Sequence, residues 1–267
     1  SLCHLVILIT ILPQLLQLSL LLILPLRFLL FALIAVSIGG AVELIPTFMI
    51  NDNIPTIAAV KPYTPLELLG RDIYIREGCY NCHSQMIRPF RDEEARYGEY
   101  SKAGEFVYDH PFQWGSKRTG PDLHRVGGKY PNSWHYNHMR FPQDMTPNSL
   151  MPPYPWLLED ELDISLTEIK IKTMRKLGVP YPKGYENIAV ADLHKQADAI
   201  TANLLTEKIK VNRNKEIIAV IAYLQRLGTD IKKGEIKKVM LLKQYELYLD
   251  TYSKGKAKAK VEFEKAE

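Results

Sequence analysis

At 267 residues the chain has room for one large domain, or for one domain and an anchor, at roughly 150 residues per domain. Hydrophobic residues make up 46%, charged residues 24% and aromatics 10%, which excludes a disordered, collagen-like or wholly membrane-embedded protein. The 34 basic and 30 acidic residues leave a net charge of only +4, too even a balance for a nucleic-acid surface, so no nucleic-acid partner is expected.

Residues 5–38 carry one charge, Arg27, whereas everything after Pro62 has the composition of a soluble polypeptide. A transmembrane helix needs about 20 apolar residues, so this stretch is longer than one untilted span requires. Pro13, Pro25 and Arg27 divide it into pieces 5–24 and 26–38, and the second continues through Val42, Leu44, Ile45, Phe48, Met49 and Ile50, interrupted by Glu43. Residues 1–50 are therefore expected to form a hydrophobic membrane anchor, with 26–50 as the best single span. The alternative, a cleaved signal peptide, lacks a small-x-small cleavage signal ahead of a polar segment. With Arg27 at the cytoplasmic end, the folded part would lie outside, in a periplasm or its equivalent.

Residues 51–65 contain Pro55, Pro62 and Pro65 among polar residues and are expected to be an extended tether. Leu66, Leu69 and Ile73 then fall at helical spacing, with Thr64 or Pro65 as the start and Gly78 as the stop of a short helix. The next clear helix is 214–227, where Ile217, Val220, Ile221, Leu224 and Leu227 follow the i, i+3, i+4, i+7 pattern and Gly228 ends it. Between the two, Gly, Pro, Tyr and His dominate and strand-like alternation is scarce. The fold class expected is mostly α, with a loop-rich helical domain over 66–228. The Lys-rich tail, 229–267, is expected to be a solvated charge run that frays.

The chemistry lies in Cys79-Tyr80-Asn81-Cys82-His83, the C-x-x-C-H pattern of c-type haem attachment. Two thiols three residues apart, on a turn leaving a helix, can each add to one vinyl group of a haem, and the adjacent His83 is then held under the iron as an axial ligand. A structural zinc site would want a second Cys or His pair at ligand spacing, and a thioredoxin-like redox pair would want a βαβ context. The third cysteine, Cys3, sits in the apolar N-terminus, where an inert thiol is expected. One covalently attached haem c is the cofactor the motif implies.

The chain resembles class I cytochromes c at Thr119-Gly120-Pro121-Asp122-Leu123, which is similar to the G-P-x-L loop that follows C-x-x-C-H in that family. The resemblance implies that Gly120, Pro121 and Leu123 belong to the haem site, with the Pro121 carbonyl accepting a hydrogen bond from the His83 imidazole and fixing its ring. Gly70 and Tyr74 match the small and aromatic positions of the family's first helix, where it crosses the last helix near an aromatic, here Tyr223. The second axial ligand must come from downstream, and the candidates are Met86, His110, His124, His135, His138, Met139, Met145, Met151, Met174 and His194. Met151 is preferred because Ser149-Leu-Met-Pro-Pro-Tyr154 is similar to the family's methionine loop, with His135 or His138 next. A thioether ligand raises the iron potential relative to two histidines.

Two long insertions set the chain apart: 35 residues separate His83 from Thr119, and some 60 more lie between Met151 and the last helix. The strings GRDIYIREGCYNCHSQMIRPFR (70–91) and YDHPFQWGSKRTGPDL (108–123) closely resemble the membrane-anchored mono-haem subunit, subunit II, of cbb3-type cytochrome c oxidases. The resemblance extends to SIGG (37–40), Glu43, KPYTPLELL (61–69) and AYLQ (222–225), and covers residues from about 26 to 229. It implies a bacterial inner-membrane complex in which this chain passes electrons through its haem c toward the haem b of a catalytic haem-copper subunit, which reduces oxygen to water and pumps protons. A di-haem cytochrome c subunit and membrane lipid are the other implied partners. The chain itself carries no oxygen-reducing site and lacks the ligand pattern of a dinuclear copper centre, so no residue of its own is expected to be catalytic. The loops 87–91 and 108–114, rich in Arg and aromatics, fit a permanent interface. The alternative function is a free-standing membrane-anchored c-type cytochrome that shuttles electrons, for which two long insertions have no use. A haem-based sensor would want a fused output domain, and an anchored peroxidase a second haem motif.

Overall fold

The computed structural model describes residues 2–49, 55–232, 243 and 250, with side chains described from 23–46 and from 55 onward. These residues are mostly helical, and among them no strand forms; one isolated bridge joins Glu161 to Lys215. The chain divides into two compact units, 1–55 and 56–267.

The first unit is a single helix, α1, Leu2–Met49. The break expected at Pro13 and Pro25 does not occur. A proline removes one i→i−4 hydrogen bond, and among apolar residues no water competes for the groups it frees, so the helix continues through both. Its segment Ile23–Pro46 is 24 residues long and apolar enough to cross a membrane. At the α-helical rise it measures about 36 Å, against a hydrocarbon core of about 30 Å. Phe28, Phe31, Leu33, Val36 and Val42 are exposed along it. A helix apolar on every side is built for lipid rather than for one protein face.

In the second unit the chain enters α2 (Pro65–Arg76) through a capping box. Thr64 Oγ1 accepts from the Glu67 backbone N–H at 3.4 Å, and Glu67 Oε2 accepts from the Thr64 N–H at 2.8 Å. Gly78, at φ +68°, stops the helix in the left-handed region that a side chain avoids, and a 3₁₀ turn, Cys79–Asn81, follows at once. The cysteine pair thus leaves the end of a rigid helix on a tight turn.

The remaining helices are short. In chain order they are α3 (Arg91–Tyr97), a 3₁₀ turn at Ala103–Phe106, α4 (Asn132–Arg140), α5 (Pro142–Met145), α6 (Trp156–Glu159), α7 (Thr167–Lys176), a 3₁₀ turn at Tyr185–Ile188, α8 (Ala189–Thr206) and α9 (Glu216–Arg226). The centre is α9, buried from Glu216 to Leu224 and packed against α2, α4, α6 and α8. It crosses α2 at Gly70, where an added Cβ would lie 1.9 Å from the Ala219 carbonyl oxygen. Only hydrogen fits there. Tyr74 and Tyr223 meet beside the crossing, with ring centroids 5.3 Å apart.

The main core gathers Leu66, Leu69, Ile73 and Tyr74 of α2, Leu193 and Leu204 of α8, and nearly all of α9. A second cluster, Leu68, Ile171, Met174, Val179, Tyr181 and Ala189, lies on the other side of α2. The insertion after Met151 supplies α7 and α8, so it adds core and not merely loop. The 18-residue α8 is absent from the elements read off the sequence. Its buried Ala189, Leu193, Ala197 and Leu204 are spaced by four, four and seven, but alanine makes a faint apolar stripe. The first insertion is tied down by buried ion pairs. Arg71 Nε meets Asp109 Oδ1 at 2.8 Å, with both side chains 3% exposed, and Glu105 bonds His124 at 2.8 Å and Arg125 at 2.7 Å. Part of the expected tether, 51–54, and nearly all of the expected frayed tail beyond 232 lie outside the described residues, as does the side chain of Cys3.

Candidate haem-binding site

Cys79, Cys82 and His83 follow the end of α2, and Gly120, Pro121 and Leu123 are brought against them. Cys79 is half-buried, Cys82 is exposed, and both are free thiols. Burial, reinforced by the charges of Glu77 and Cys82, pushes the Cys79 thiol up to about 12, so it is held protonated. His83 follows in a half-buried position, and its Nδ1 lies 2.8 Å from the Pro121 carbonyl oxygen. A carbonyl only accepts, so Nδ1 carries the proton and Nε2 keeps the lone pair that binds metal. Burial lowers the His83 pKa against the opposing effects of Pro121 and Asp122, which favours the neutral imidazole.

The loop 119–123 is laced to the segment after the cysteines. Gly120 N donates to Cys82 O at 2.9 Å and Leu123 N to Ser84 O at 2.9 Å. An added Cβ at Gly120 would come within 2.2 Å of His83 Cε1, so the glycine is what lets the loop lie against the ring. Asp122 Oδ2 accepts from Ser84 Oγ at 2.6 Å and from Met86 N at 2.9 Å, and its Oδ1 from His124 N at 2.8 Å. Arg118 bridges Ser84 Oγ, the Met86 carbonyl and Glu93 at 2.7, 2.8 and 2.7 Å. From behind, Gln85 N donates to Trp114 O at 2.7 Å and Gln85 Nε2 to Tyr223 Oη at 3.0 Å. Sequence reasoning missed Ser84, Arg118 and Asp122 as the clamp on this turn. The available signal was Asp122 itself, an acid inside an otherwise apolar loop.

Met151 is half-buried and packs against the main core together with Cys79, Leu123, Tyr136 and Tyr154. Its loop is held at both edges: Gln143 Nε2 donates to Ser149 O at 3.0 Å and Met151 O at 3.4 Å, and Tyr154 N donates to Met139 O at 2.8 Å. Of the other candidate ligands, Met174 belongs to the second cluster, Met139 is buried core, His124 is bonded to Glu105 and His110 is exposed. Burial, then His138, pushes His135 down to about 4, and burial, then His83, does the same to His138. Both are neutral at physiological pH.

This donor set suits an iron porphyrin. Two thiols flank a turn, an imidazole presents a free Nε2 with its other nitrogen fixed, and a thioether sits on the same apolar cluster. No group of three or more His, Cys, Asp or Glu side chains placed to hold a metal ion occurs among the described residues.

A single apolar helix and a mostly helical unit with this one site define a mono-haem protein of the cytochrome class. The chain matches the family described as cytochrome c oxidase, mono-heme subunit/FixO, over residues 20–231, and it belongs to that family, the mono-haem subunits (subunit II) of cbb3-type oxidases. No curated protein matches it.

Proposed function

We propose that this chain relays electrons to the haem-copper catalytic subunit of a cbb3-type oxidase through one covalently held haem c. The observation that carries the reading is the His83 ring, fixed at Nδ1 by the Pro121 carbonyl beside the two free thiols of one turn. Cys79 and Cys82 would attach the haem, His83 Nε2 and the Met151 sulfur would take the two axial positions, and Gly120 and Leu123 would close the loop over the ring. Bound there, the haem iron supplies a one-electron store whose potential a thioether ligand raises. The protein's part is to hold and insulate. The Asp122–Arg118–Ser84 clamp fixes the turn, and the apolar residues around Met151, Leu123 and Tyr154 exclude water.

Domain organisation follows from this role. Residues 1–50 anchor the chain, 51–65 tether it, 66–228 form the haem domain on the periplasmic side of a bacterial inner membrane, and 229–267 form a Lys-rich tail. Oxygen reduction and proton pumping belong to the catalytic subunit, and a di-haem cytochrome c subunit and membrane lipid complete the surroundings. Phe112 and Trp114 stack at 4.6 Å while 53% and 36% exposed, and Arg88 lies over an exposed Phe90, a pattern that favours a permanent partner surface over a solvated loop.

The test is a pyridine haemochrome spectrum of the chain purified with its companions in mild detergent. Haem c together with b haems supports the oxidase subunit. Haem c with no b supports the free-standing shuttle and overturns the subunit assignment. In a Cys79→Ala/Cys82→Ala chain, haem staining on a denaturing gel should vanish.

A further inference from the structure

A buried polar atom without a partner costs about 1–3 kcal/mol, so proteins leave few of them. Among the described residues five side-chain atoms are in this state, and three fall within nine residues: His135 Nε2, His138 Nδ1 and Gln143 Oε1. These residues sit on α4 and α5, the stretch that leads directly into the Met151 loop. Gln143 has a local role, since its amide N–H groups hold the Ser149 and Met151 carbonyls. The two histidines have none. His135 is 1% exposed and is walled by Tyr130 at 6.1 Å and Trp134 at 5.4 Å, both edge-on. His138 stacks on Trp134 at 4.4 Å, and Trp134 stacks in turn on Tyr130 at 4.0 Å. These contacts hold both rings, His135 wholly buried and His138 half-buried. Phenylalanine would fill the same space without stranding a nitrogen, so packing alone does not account for imidazole at both positions.

We infer that His135 Nε2–H and His138 Nδ1–H donate hydrogen bonds to the carboxylates of the prosthetic group, the haem propionates. The inference rests on the haem reading proposed above. The rim of a c-type haem is apolar apart from its two propionates, so two inward donors on an otherwise aromatic wall match its one polar edge. Tyr136 of α4 packs on the cluster that also takes Cys79 and Met151, and the Met139 carbonyl of α4 accepts from Tyr154 N at 2.8 Å, which places this wall next to the site. Neutral donors fit a propionate here because they satisfy a buried anion without adding a net charge to the core. His135 and His138 are accordingly positioning and tuning residues and do not bind the iron.

The test uses the full chain in its complex, with His135→Leu, His138→Leu and the donor-retaining His135→Gln and His138→Gln. Covalent haem is counted by pyridine haemochrome, ligation is read from the iron–methionine absorption band, and the midpoint potential and carboxylate bands come from spectroelectrochemistry and redox-difference infrared spectra. The leucine variants should keep covalent haem and axial ligation, lower the potential because an unscreened propionate favours ferric iron, and shift the carboxylate bands. Glutamine should recover part of both changes. Where a leucine chain does not assemble, the carboxylate bands of the glutamine variants must still move, because amide and imidazole donors differ. Unchanged bands and potential overturn the inference, as does loss of the axial-ligand spectrum, which would make the histidine a ligand. These results leave the haem reading intact, whereas an unsubstituted chain without covalent haem would overturn both.

Discussion

Gly70→Ala tests the helix crossing on which the site is built. The new Cβ would lie 1.9 Å from the Ala219 carbonyl oxygen, 2.5 Å from its carbon and 2.9 Å from Tyr223 Cβ. Ordinary carbon contacts need about 3.5 Å, so α2 must retreat from α9 by about 1.5 Å along a seam that includes Leu66, Leu69, Ile73 and Tyr74. Overpacking costs about 1–3 kcal/mol and more where the obstacle is backbone, while alanine returns about 1 kcal/mol in helix propensity. We expect a net loss of about 3 kcal/mol, which for a domain of this size lowers the melting temperature by about 6–12 °C. The assay is thermal unfolding of the haem-loaded chain in mild detergent, followed by helix circular dichroism and by the haem absorption band. A variant that melts with the unsubstituted chain, to within about 0.5 kcal/mol, would refute the close crossing.

Three further predictions concern the site and its supports. Met151→Ala should retain covalent haem, lose the iron–methionine absorption band and lower the midpoint potential; an unchanged spectrum moves the ligand elsewhere. Gly120→Ala should drive the His83 ring off the Pro121 carbonyl, since its Cβ would lie 2.2 Å from Cε1, and the reduced protein should then bind carbon monoxide; a carbon monoxide-inert variant contradicts the packing. Glu105→Gln should destabilise the domain in a pH-dependent way. Burial alone would raise the Glu105 pKa, but hydrogen bonds from Arg125 and His124 outweigh it and hold the carboxyl at about 2, below its ordinary 4.5. A carboxylate with a depressed folded pKa contributes its stability above the unfolded value and loses it as the pH falls toward the folded one. The difference between wild type and variant in denaturant unfolding should therefore reach at most about 3 kcal/mol, stay flat above pH 5 and shrink between about 4.5 and 2; a pH-independent difference refutes the charge pairing.

The ends of α2 and α9 were legible because local rules set them: Thr64 and Glu67 write the capping box, and Gly78 and Gly228, at φ +68° and +70°, supply the stops. The cysteine pair was legible because ligation chemistry fixes its spacing. Other features depend on distant partners. The continuity of α1 through Pro13 and Pro25 depends on what surrounds the helix, and local proline rules point the other way. Helix α8 was hidden by its alanines, whose burial is decided by the helices packed around them and not by their own hydrophobicity. The clamp of Arg118, Ser84 and Asp122 joins residues 34 to 38 apart, and the pair of Arg71 and Asp109 joins residues 38 apart, separations at which no periodicity speaks. The loneliness of the His135 and His138 nitrogens is likewise a property of the packed wall, invisible in the string W-H-Y-N-H.

Electron relay from this chain to an oxygen-reducing subunit is tested most directly by mixing the fully reduced, purified complex with oxygen and following the haem c absorbance through a single turnover. Haem c should be reoxidised within that turnover in the unsubstituted complex. Haem c that stays reduced while the b haems are oxidised would contradict the relay.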